Sequence, residues 1–517
     1  MSAKRVLSQK HKGKKGLAAF LFSRFFLFGL MVVLQVLMFV FFAYNASVEK
    51  NLNYVIMVLQ FVLIIYIAND KSDPTMKLVW IMFIMFVPAI GCMMYLYFML
   101  QPGSLMLKKR LEHINLNSGK YLDPDQNIYN ELQILDKQVS SLTKYVYEKT
   151  GCPDVTYLES GEKKYGILLD ELKKAKNFIF LEYFIIEQGE VWDSVLEVLC
   201  EKIREGVEVR VMYDGLCSLS KLPIGYFKKL RELGIKSKPF APARPFFTTQ
   251  QNNRDHRKIL VIDGKVAFTG GINLADEYMN IVERFGYWKD TGVMLKGDAV
   301  RSFTLLFLQM WNVTEKNIEG YNRYLNIAIP TPETSDGYVM GYGDDPYGKE
   351  RVGESVYLHM INTATKYLHI VSPYLVIDNV MMSSLKFAAK RGVDVKIIMP
   401  GIPDKEYAYC LARTYYAELI EAGVEIYEFT PGFTHAKMFI SDDEKATVGT
   451  INLDYRSLFL HFEDGCFIYK NKVINRIEAD YQKMLSASKR VSLIDCRNRP
   501  TYYKICGMLL RLLAPLM

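Results

Sequence analysis

Cysteine is sparse and unpatterned in this chain. The eight, Cys92, Cys152, Cys200, Cys217, Cys410, Cys466, Cys496 and Cys506, form no C-x-x-C pair and no regular framework across 517 residues. That excludes a disulfide scaffold and a zinc ribbon, and the thiols read as reduced and buried. Glycine and proline, 33 and 18 in number, are too few and scattered for a collagen-like or low-complexity chain. Acid is missing altogether from residues 1–24, which hold Lys4, Arg5, Lys10, Lys12, Lys14, Lys15 and Arg24. This tail accounts for seven of the formal +8, so residues 25–517 are left at +1. Such a body lacks the basic surface of a nuclease, and no nucleic-acid partner is expected. With 50 % apolar and 23 % charged residues, the chain is neither disordered nor a bundle made only of membrane spans.

Long uncharged runs follow the tail. Residues 25–44 form a run of 20, residues 52–68 of 17 and residues 78–100 of 23, the last interrupted only by Pro88 and Gly91. At a rise of ~1.5 Å per residue, about 20 residues cross a hydrocarbon core of ~30 Å. The first and third runs read as spans. The second is short and holds Asn53 and Gln60, which makes it marginal. No A-x-A site follows the first run, so it is expected to stay attached. The basic tail argues for a cytoplasmic N-terminus, and Lys108, Lys109 and Arg110 argue the same for the end of the third run. Three full spans cannot satisfy both signals. Two spans with one re-entrant or interfacial segment can.

The remainder repeats itself. Residues 178–186 read as a strand, 191–204 as a helix and 207–213 as a strand. Residues 367–371, 378–391 and 393–399 give the same series. Each helix ends at a glycine suited to a left-handed cap, Gly206 and Gly392, and a second helix–glycine–strand step follows at Gly234 and Gly423. The matched order argues for a duplicated α/β unit. Pro330, Pro332, Gly337, Gly341, Gly343, Pro346 and Gly348 mark residues 326–350 as a linker. The expected divisions are therefore a tail (1–24), transmembrane segments (25–103), a helical connector (104–150), a first repeat (151–325), the linker, a second repeat (351–500) and a C-terminal helix (501–517). That last helix is amphipathic enough either to lie in a membrane interface or to pack on the body.

Both repeats carry the pattern H-x-K-x4-D-x6-G-x-x-N. It runs through His256, Lys258, Asp263, Gly270 and Asn273, and through His435, Lys437, Asp442, Gly449 and Asn452, at an offset of 179. Only seven histidines exist in the chain. In a strand, residues two apart share a face, so each His and Lys point the same way. A His–Lys–Asn face suits a phosphate: lysine offers a point charge, asparagine a hydrogen bond, and histidine can attack phosphorus or carry a proton near neutral pH. Two such histidines in one site allow one to be nucleophile and the other acid. Asp263-Gly264 reads as a hairpin turn and Asp442-Asp443 as a looser version of it. The two aspartates complete the candidate catalytic set, although at a strand end they are expected to hold backbone amides. The glycine pairs are expected to let the backbone approach a ligand. Asp290 and Glu463, ahead of a final apolar strand in each repeat, are the candidates for orienting the histidines through Nδ1.

The doubled motif resembles the phospholipase D superfamily, and its context resembles the bacterial cardiolipin synthases. The residues that carry this are Asn253-Arg254-Asp-His-Arg-Lys, Asp263-Gly-Lys, Thr269-Gly-Gly-Ile-Asn-Leu-Ala-Asp-Glu-Tyr278, Leu181-Glu-Tyr-Phe-Ile185, Ser372-Pro-Tyr374 and the closing Arg511-Leu-Leu-Ala-Pro-Leu-Met517. The resemblance implies two α/β repeats, each a mixed sheet flanked by helices, that share one metal-free, cofactor-free site at a pseudo-two-fold interface behind N-terminal transmembrane helices. It implies that His256 attacks to give a phosphohistidine and that His435 serves as acid and then base. Lys258, Lys437, Asn273 and Asn452 would bind the phosphoryl oxygens. The implied reaction joins two phosphatidylglycerols into cardiolipin and releases glycerol, in a multi-pass protein of the cell membrane with a cytoplasmic catalytic domain. The alternatives on the same scaffold are a hydrolytic phospholipase D and a phosphatidylserine synthase. His461 where Asn is commoner, and Asp464-Gly465 where an apolar-Asn pair is commoner, bear on acceptor preference and not on the phosphodiester chemistry.

Overall fold

The computed structural model describes residues 50–121, 126–135, 154–216, 221–242, 252–327 and 336–516, with isolated positions between 33 and 44. The basic tail, most of the first apolar run, Cys152 and Cys217 lie outside the described residues.

Helix α1 (Lys50–Asn69) contains the second apolar run, and at 20 residues it is ~30 Å long. The third run is not one span. It breaks at Val87 into α2 (Pro74–Phe86) and α3 (Pro88–Met99), because Pro88 cannot continue a helix from the residue before it. The two halves fold back on each other. Trp80 meets Tyr95 at 5.3 Å and Phe98 at 5.8 Å between ring centroids. Gly91 lets the helices touch near the bend, since a Cβ there would sit 2.7 Å from Ile84 Cα. Each arm is ~20 Å long, too short to cross alone, and the tip residues Met85 and Phe86 are exposed.

By length and composition, the run Pro88–Ser118 is long and apolar enough to cross a membrane. Its second half, α4 (Pro102–Ser118), is instead held on the soluble body. Arg110 donates to the carbonyls of Asn312 (3.1 Å) and Glu315 (2.7 Å), and Gln309 donates to Ser118 Oγ (2.8 Å). Arg110, part of the basic topology signal, is thus also a packing anchor.

The first repeat builds a seven-stranded sheet from β1 (Asp154–Leu158), β2 (Phe178–Tyr183), β3 (Glu208–Asp214), β4 (Lys236–Phe240), β5 (Lys258–Ile262), β6 (Val266–Gly270) and β8 (Gly292–Lys296). Its order is β1-β8-β6-β5-β2-β3-β4, with β7 (Tyr287–Lys289) outside it. The second sheet contains β9 (Tyr338–Asp344), β10 (Tyr367–Val371), β12 (Asp394–Pro400), β13 (Glu425–Phe429), β15 (Met438–Ser441), β16 (Lys445–Gly449), β18 (Glu463–Tyr469) and β19 (Ser488–Arg490). It runs β9-β18-β16-β15-β10-β12-β13-β19, with β11 (Leu375–Val376), β14 (Gly432–Thr434) and β17 (Leu453–Asp454) outside. Apart from β19, the two orders coincide strand for strand, and the duplication is real. The parallel triplets β2-β3-β4 and β10-β12-β13 follow from the helix–glycine–strand steps. Gly206, Gly234, Gly392 and Gly423 all have φ between 89° and 101°, the left-handed cap that lets a helix pass straight into a strand.

The supposed linker is partly a strand. β9 pairs along its whole length with β18, from Tyr338↔Tyr469 to Asp344↔Glu463. Gly341 lies there because α5 (Val300–Val313) crosses close by, and a Cβ would meet the Phe303 ring at 2.7 Å. The glycine marks close packing rather than slack chain. The C-terminal helix α7 (Thr501–Leu513) packs on the body and keeps an apolar face outside it. Gly507 lies against Thr414 and Cys410 of α6 (Glu406–Glu421), while Tyr502, Ile505, Met508, Leu509 and Leu512 form an exposed apolar stripe. Of the described cysteines, all free, Cys92, Cys410 and Cys466 are buried, Cys200 and Cys496 half-buried, and Cys506 exposed. Cys506 departs from the expectation: it is exposed, although its thiol is within hydrogen-bond reach of Cys410 on α6.

Candidate active site

The site is assembled by two short backbone pairings between the repeats. β7 and β14 run parallel in the register Gly432↔Tyr287, Phe433↔Trp288, Thr434↔Lys289. The next residues out of this ladder are His435 and Asp290, and the His435 N–H donates to the Lys289 carbonyl at 2.7 Å. On the other side Asp255 bridges Phe462 in parallel, followed by His256 and Glu463. There the His256 N–H donates to the Phe462 carbonyl (2.9 Å), and the Phe462 N–H donates to that of Arg254 (2.8 Å). Each histidine therefore meets the carboxylate of the opposite repeat. His256 Nδ1 lies 2.8 Å from Glu463 Oε2, and His435 Nδ1 lies 2.7 Å from Asp290 Oδ2. All four side chains are buried. A carboxylate only accepts, so Nδ1 carries the proton in both rings and Nε2 keeps a free lone pair.

Burial pushes the imidazolium form down in both rings. His256 lies well below its ordinary value, with Glu463 opposing the shift. His435 is pushed down to about 4 by burial and then by Lys437, with Asp290 opposing. Burial also raises the cost of charge on Glu463, yet His256 and His461 hold its carboxyl well below the usual range. The pair is thus an ionised carboxylate bound to a neutral imidazole.

The other predicted residues divide into two groups. Lys258 and Lys437 are buried beside the histidines, and each Nζ donates to the carbonyl of its own motif histidine, Lys258 at 2.6 Å. Burial lowers both ammonium groups, Lys437 to about 7, which leaves charge poised for an anion to stabilise. Asn452 is buried with Oδ1 unpartnered among the described residues. Asn273 is engaged: Oδ1 accepts from the Ile185 N–H (3.0 Å) and Nδ2 donates to Tyr278 (2.7 Å).

Asp263 and Asp442 stand apart from the histidines. Asp263 accepts from the N–H groups of Lys176, Asn177 and Phe178, and Asp442 from those of Thr365, Lys366 and Tyr367. They clamp a strand entry and belong outside the catalytic set. Their turns are equally tight, with φ of 53° and 64° at Asp263-Gly264 and 58° and 59° at Asp442-Asp443. The motif glycines make room for protein neighbours rather than ligand. A Cβ on Gly271 would lie 2.1 Å from Asp290 Oδ1, and one on Gly449 2.6 Å from the Asp464 carbonyl.

Several site residues had no assigned role in the sequence. Thr450, at the position of Gly271, donates its hydroxyl to Glu463 Oε2. The glycine–threonine difference between the two motifs was the available signal. Phe184 packs edge-on to His256 at 4.6 Å, while Tyr278, Trp288 and Phe433 surround His435 at 5.6–5.8 Å. His461 lies 5.5 Å from the His256 ring with Nδ1 3.5 Å from Glu463 Oε1, and its Nε2 has no hydrogen-bond partner among the described residues. His256, His461 and Glu463 are the group whose ligand atoms, all within 4.8 Å of one another, could hold a metal ion.

A duplicated α/β fold with two carboxylate-bound histidines at its inter-repeat seam defines the phospholipase D class. The family described as cardiolipin synthase, PLD-like domain, matches residues 168–311 and 357–485, and a phospholipase D-nuclease N-terminal family matches residues 58–98. The chain belongs to the cardiolipin synthase family of phospholipase D-like proteins. A cardiolipin synthase of Halalkalibacterium halodurans is 34 % identical over 88 % of this chain and 91 % of its own length. An uncharacterized protein of Streptococcus mutans is 46 % identical over 88 % of this chain and 99 % of its own length. The phosphatidylserine synthase of Haemophilus influenzae has the same fold, with a TM-score of 0.56 at 14 % identity over 73 % of this chain and 98 % of that one.

The crossed pairing generates a pH prediction. Asp290 raises the pKa of His435, so its loss lowers that pKa further and the imidazolium is given up at lower pH. In Asp290→Asn, the alkaline limb of the kcat/KM–pH profile is expected to move acidward by about one unit. A limb that stays in place or moves to higher pH contradicts the assignment.

Proposed function

We propose that the protein transfers a phosphatidyl group from one phosphatidylglycerol to another, giving cardiolipin and glycerol. The observation that carries this reading is the pair of neutral histidines, each oriented by a buried carboxylate of the opposite repeat, in a chain of the cardiolipin synthase family. His256 Nε2, with its lone pair free, attacks phosphorus. His435 Nε2 protonates the departing glycerol oxygen, and a phosphatidyl-histidine remains. The acceptor hydroxyl then gives its proton to His435 and bonds to phosphorus as the P–N bond to His256 breaks. His435 must hold a proton that burial resists. The anionic phosphodiester, bound among Lys258, Lys437 and Asn452, supplies the charge that favours the protonated form. Asn273 acts through Tyr278 and the Ile185 loop, as a positioning residue.

The purified full chain, given phosphatidylglycerol without added metal, is expected to produce cardiolipin and glycerol in equal amounts. His256→Ala is expected to lose at least about a thousandfold in turnover. Phosphatidic acid as the product moves the activity to hydrolysis, and unchanged turnover in His256→Ala overturns the mechanism.

The exposed apolar helices make this a membrane protein. For its topology we propose that residues 25–44 and α1 cross the bilayer while the α2–α3 hairpin re-enters from the cytoplasmic side and leaves on it. The short arms support this, as does the return of α4 to the body. The basic tail and the body then share one side, which reconciles the two charge signals. In sealed right-side-out vesicles, external protease is expected to cut a cleavage site inserted between residue 44 and Lys50, and to spare an N-terminal tag and the body. Digestion of the body from outside contradicts this topology.

A further inference from the structure

A cavity of about 310 Å³ lies between β11, β17 and the first turns of α6, lined by Tyr374, Val376, Lys405, Leu411, Tyr455 and Arg456. Its size falls at the lower end of small-molecule sites, ~300–1,000 Å³. At one end it adjoins the membrane helices, where the Tyr455 hydroxyl lies 3.4 Å from Thr75 Oγ1 in the first turn of α2. At the other it adjoins the His435 half of the site. Asp454, also on its wall, is two residues beyond Asn452 and within electrostatic reach of Lys437. Tyr374 is within reach of Tyr278, whose ring packs on His435.

The charges on its wall are unequally committed. Asp404 beside it accepts the Tyr374 hydroxyl (2.7 Å), and Asp454 accepts the Ser457 N–H (2.8 Å). Lys405 lies over the Tyr374 ring at 5.2 Å and reaches Asp404 only at 4.0 Å. The guanidinium of Arg456, exposed at the cavity's edge, makes no hydrogen bond or ion pair among the described residues. One cation is therefore loosely held and the other uncommitted, and both can turn toward an anion.

The chemistry says which anion. In a two-step displacement, the departing oxygen and the arriving hydroxyl use the same side of phosphorus, opposite the nucleophile. On the proposed reading that is the His435 side, where this cavity lies. A phosphatidylglycerol acceptor carries its own phosphodiester one glycerol unit from the attacking hydroxyl, with acyl chains that must remain in the bilayer. We propose that the cavity is the acceptor subsite: Lys405 and Arg456 bind the phosphate of the second phosphatidylglycerol, and its chains pass out along α2. The inference rests on the proposed phosphatidyl transfer. The acceptor O–H proton goes to His435, the new O–P bond forms, and the P–N bond to His256 breaks.

Two reactions of the full chain in lipid–detergent micelles test this. Exchange of labelled glycerol into phosphatidylglycerol uses a small acceptor that does not reach the subsite, whereas cardiolipin formation requires the second lipid. In K405Q/R456Q, cardiolipin formation at subsaturating phosphatidylglycerol is expected to fall about tenfold more than glycerol exchange, the effect of losing charge-assisted bonds to phosphate. K405R/R456K is expected to keep the wild-type ratio. Exchange in the double variant also reports that it is folded. If both reactions fall in parallel, or neither falls, the subsite is overturned. If the wild-type chain makes no cardiolipin, the underlying reading fails, and the subsite with it.

Discussion

A histidine can be both buried and correctly aimed only if something rigid holds its backbone and something ionised holds its ring. Here both come from the opposite repeat. The β7–β14 ladder carries His435 onto Asp290, and the Asp255–Phe462 bridge carries His256 onto Glu463. Neither repeat can complete its own histidine. The two sheets must dock in one register before either imidazole has a tautomer, and a slip of one residue would turn each carboxylate away. The single site is thus a consequence of main-chain pairing, and the side-chain chemistry follows from it.

Burial and charge act together at that seam. Lys258, Lys437, His256, His435, Asp290 and Glu463 are all removed from water, where unpaired charge is costly. The buried groups limit that cost among themselves, the imidazoles staying neutral and the ammonium pKa values being lowered. On the proposed reading an arriving phosphodiester reverses the balance, because its charge stabilises the protonated lysines and the acid form of His435. On that reading, recognition of the substrate and arming of the acid are one electrostatic event. The α2–α3 hairpin reaches the edge of the cavity through Thr75, whose Oγ1 lies 3.4 Å from the Tyr455 hydroxyl.

Much of this was legible from residue order. The repeat, the glycine caps and the doubled H-x-K motif are local patterns, and local patterns survive in sequence. The fate of residues 78–100 was only half legible: Pro88 marks a break, but whether the halves continue or fold back depends on Gly91 meeting Ile84, a tertiary contact. Gly341 reads as linker by composition; its pairing with Cys466 makes it a strand residue, and the nearness of Phe303 requires it to be glycine. Asp290 and Glu463 could be picked out by position, but the crossing could not, since pairing between repeats leaves no trace in spacing within either one. Thr450 and Gly271 occupy equivalent positions with different tasks. Their difference has meaning only once the carboxylates are in place.

The crossing itself can be observed. With only seven histidines in the chain, the Nδ1–H protons of ¹⁵N-histidine-labelled protein are few, and those bonded to buried carboxylates resonate far downfield. The resonance that disappears in His256→Ala should be the one lost in Glu463→Gln, and the one that disappears in His435→Ala should be the one lost in Asp290→Asn. If Glu463→Gln instead removes the His435 resonance, or Asp290→Asn the His256 resonance, each repeat pairs within itself and the account is wrong.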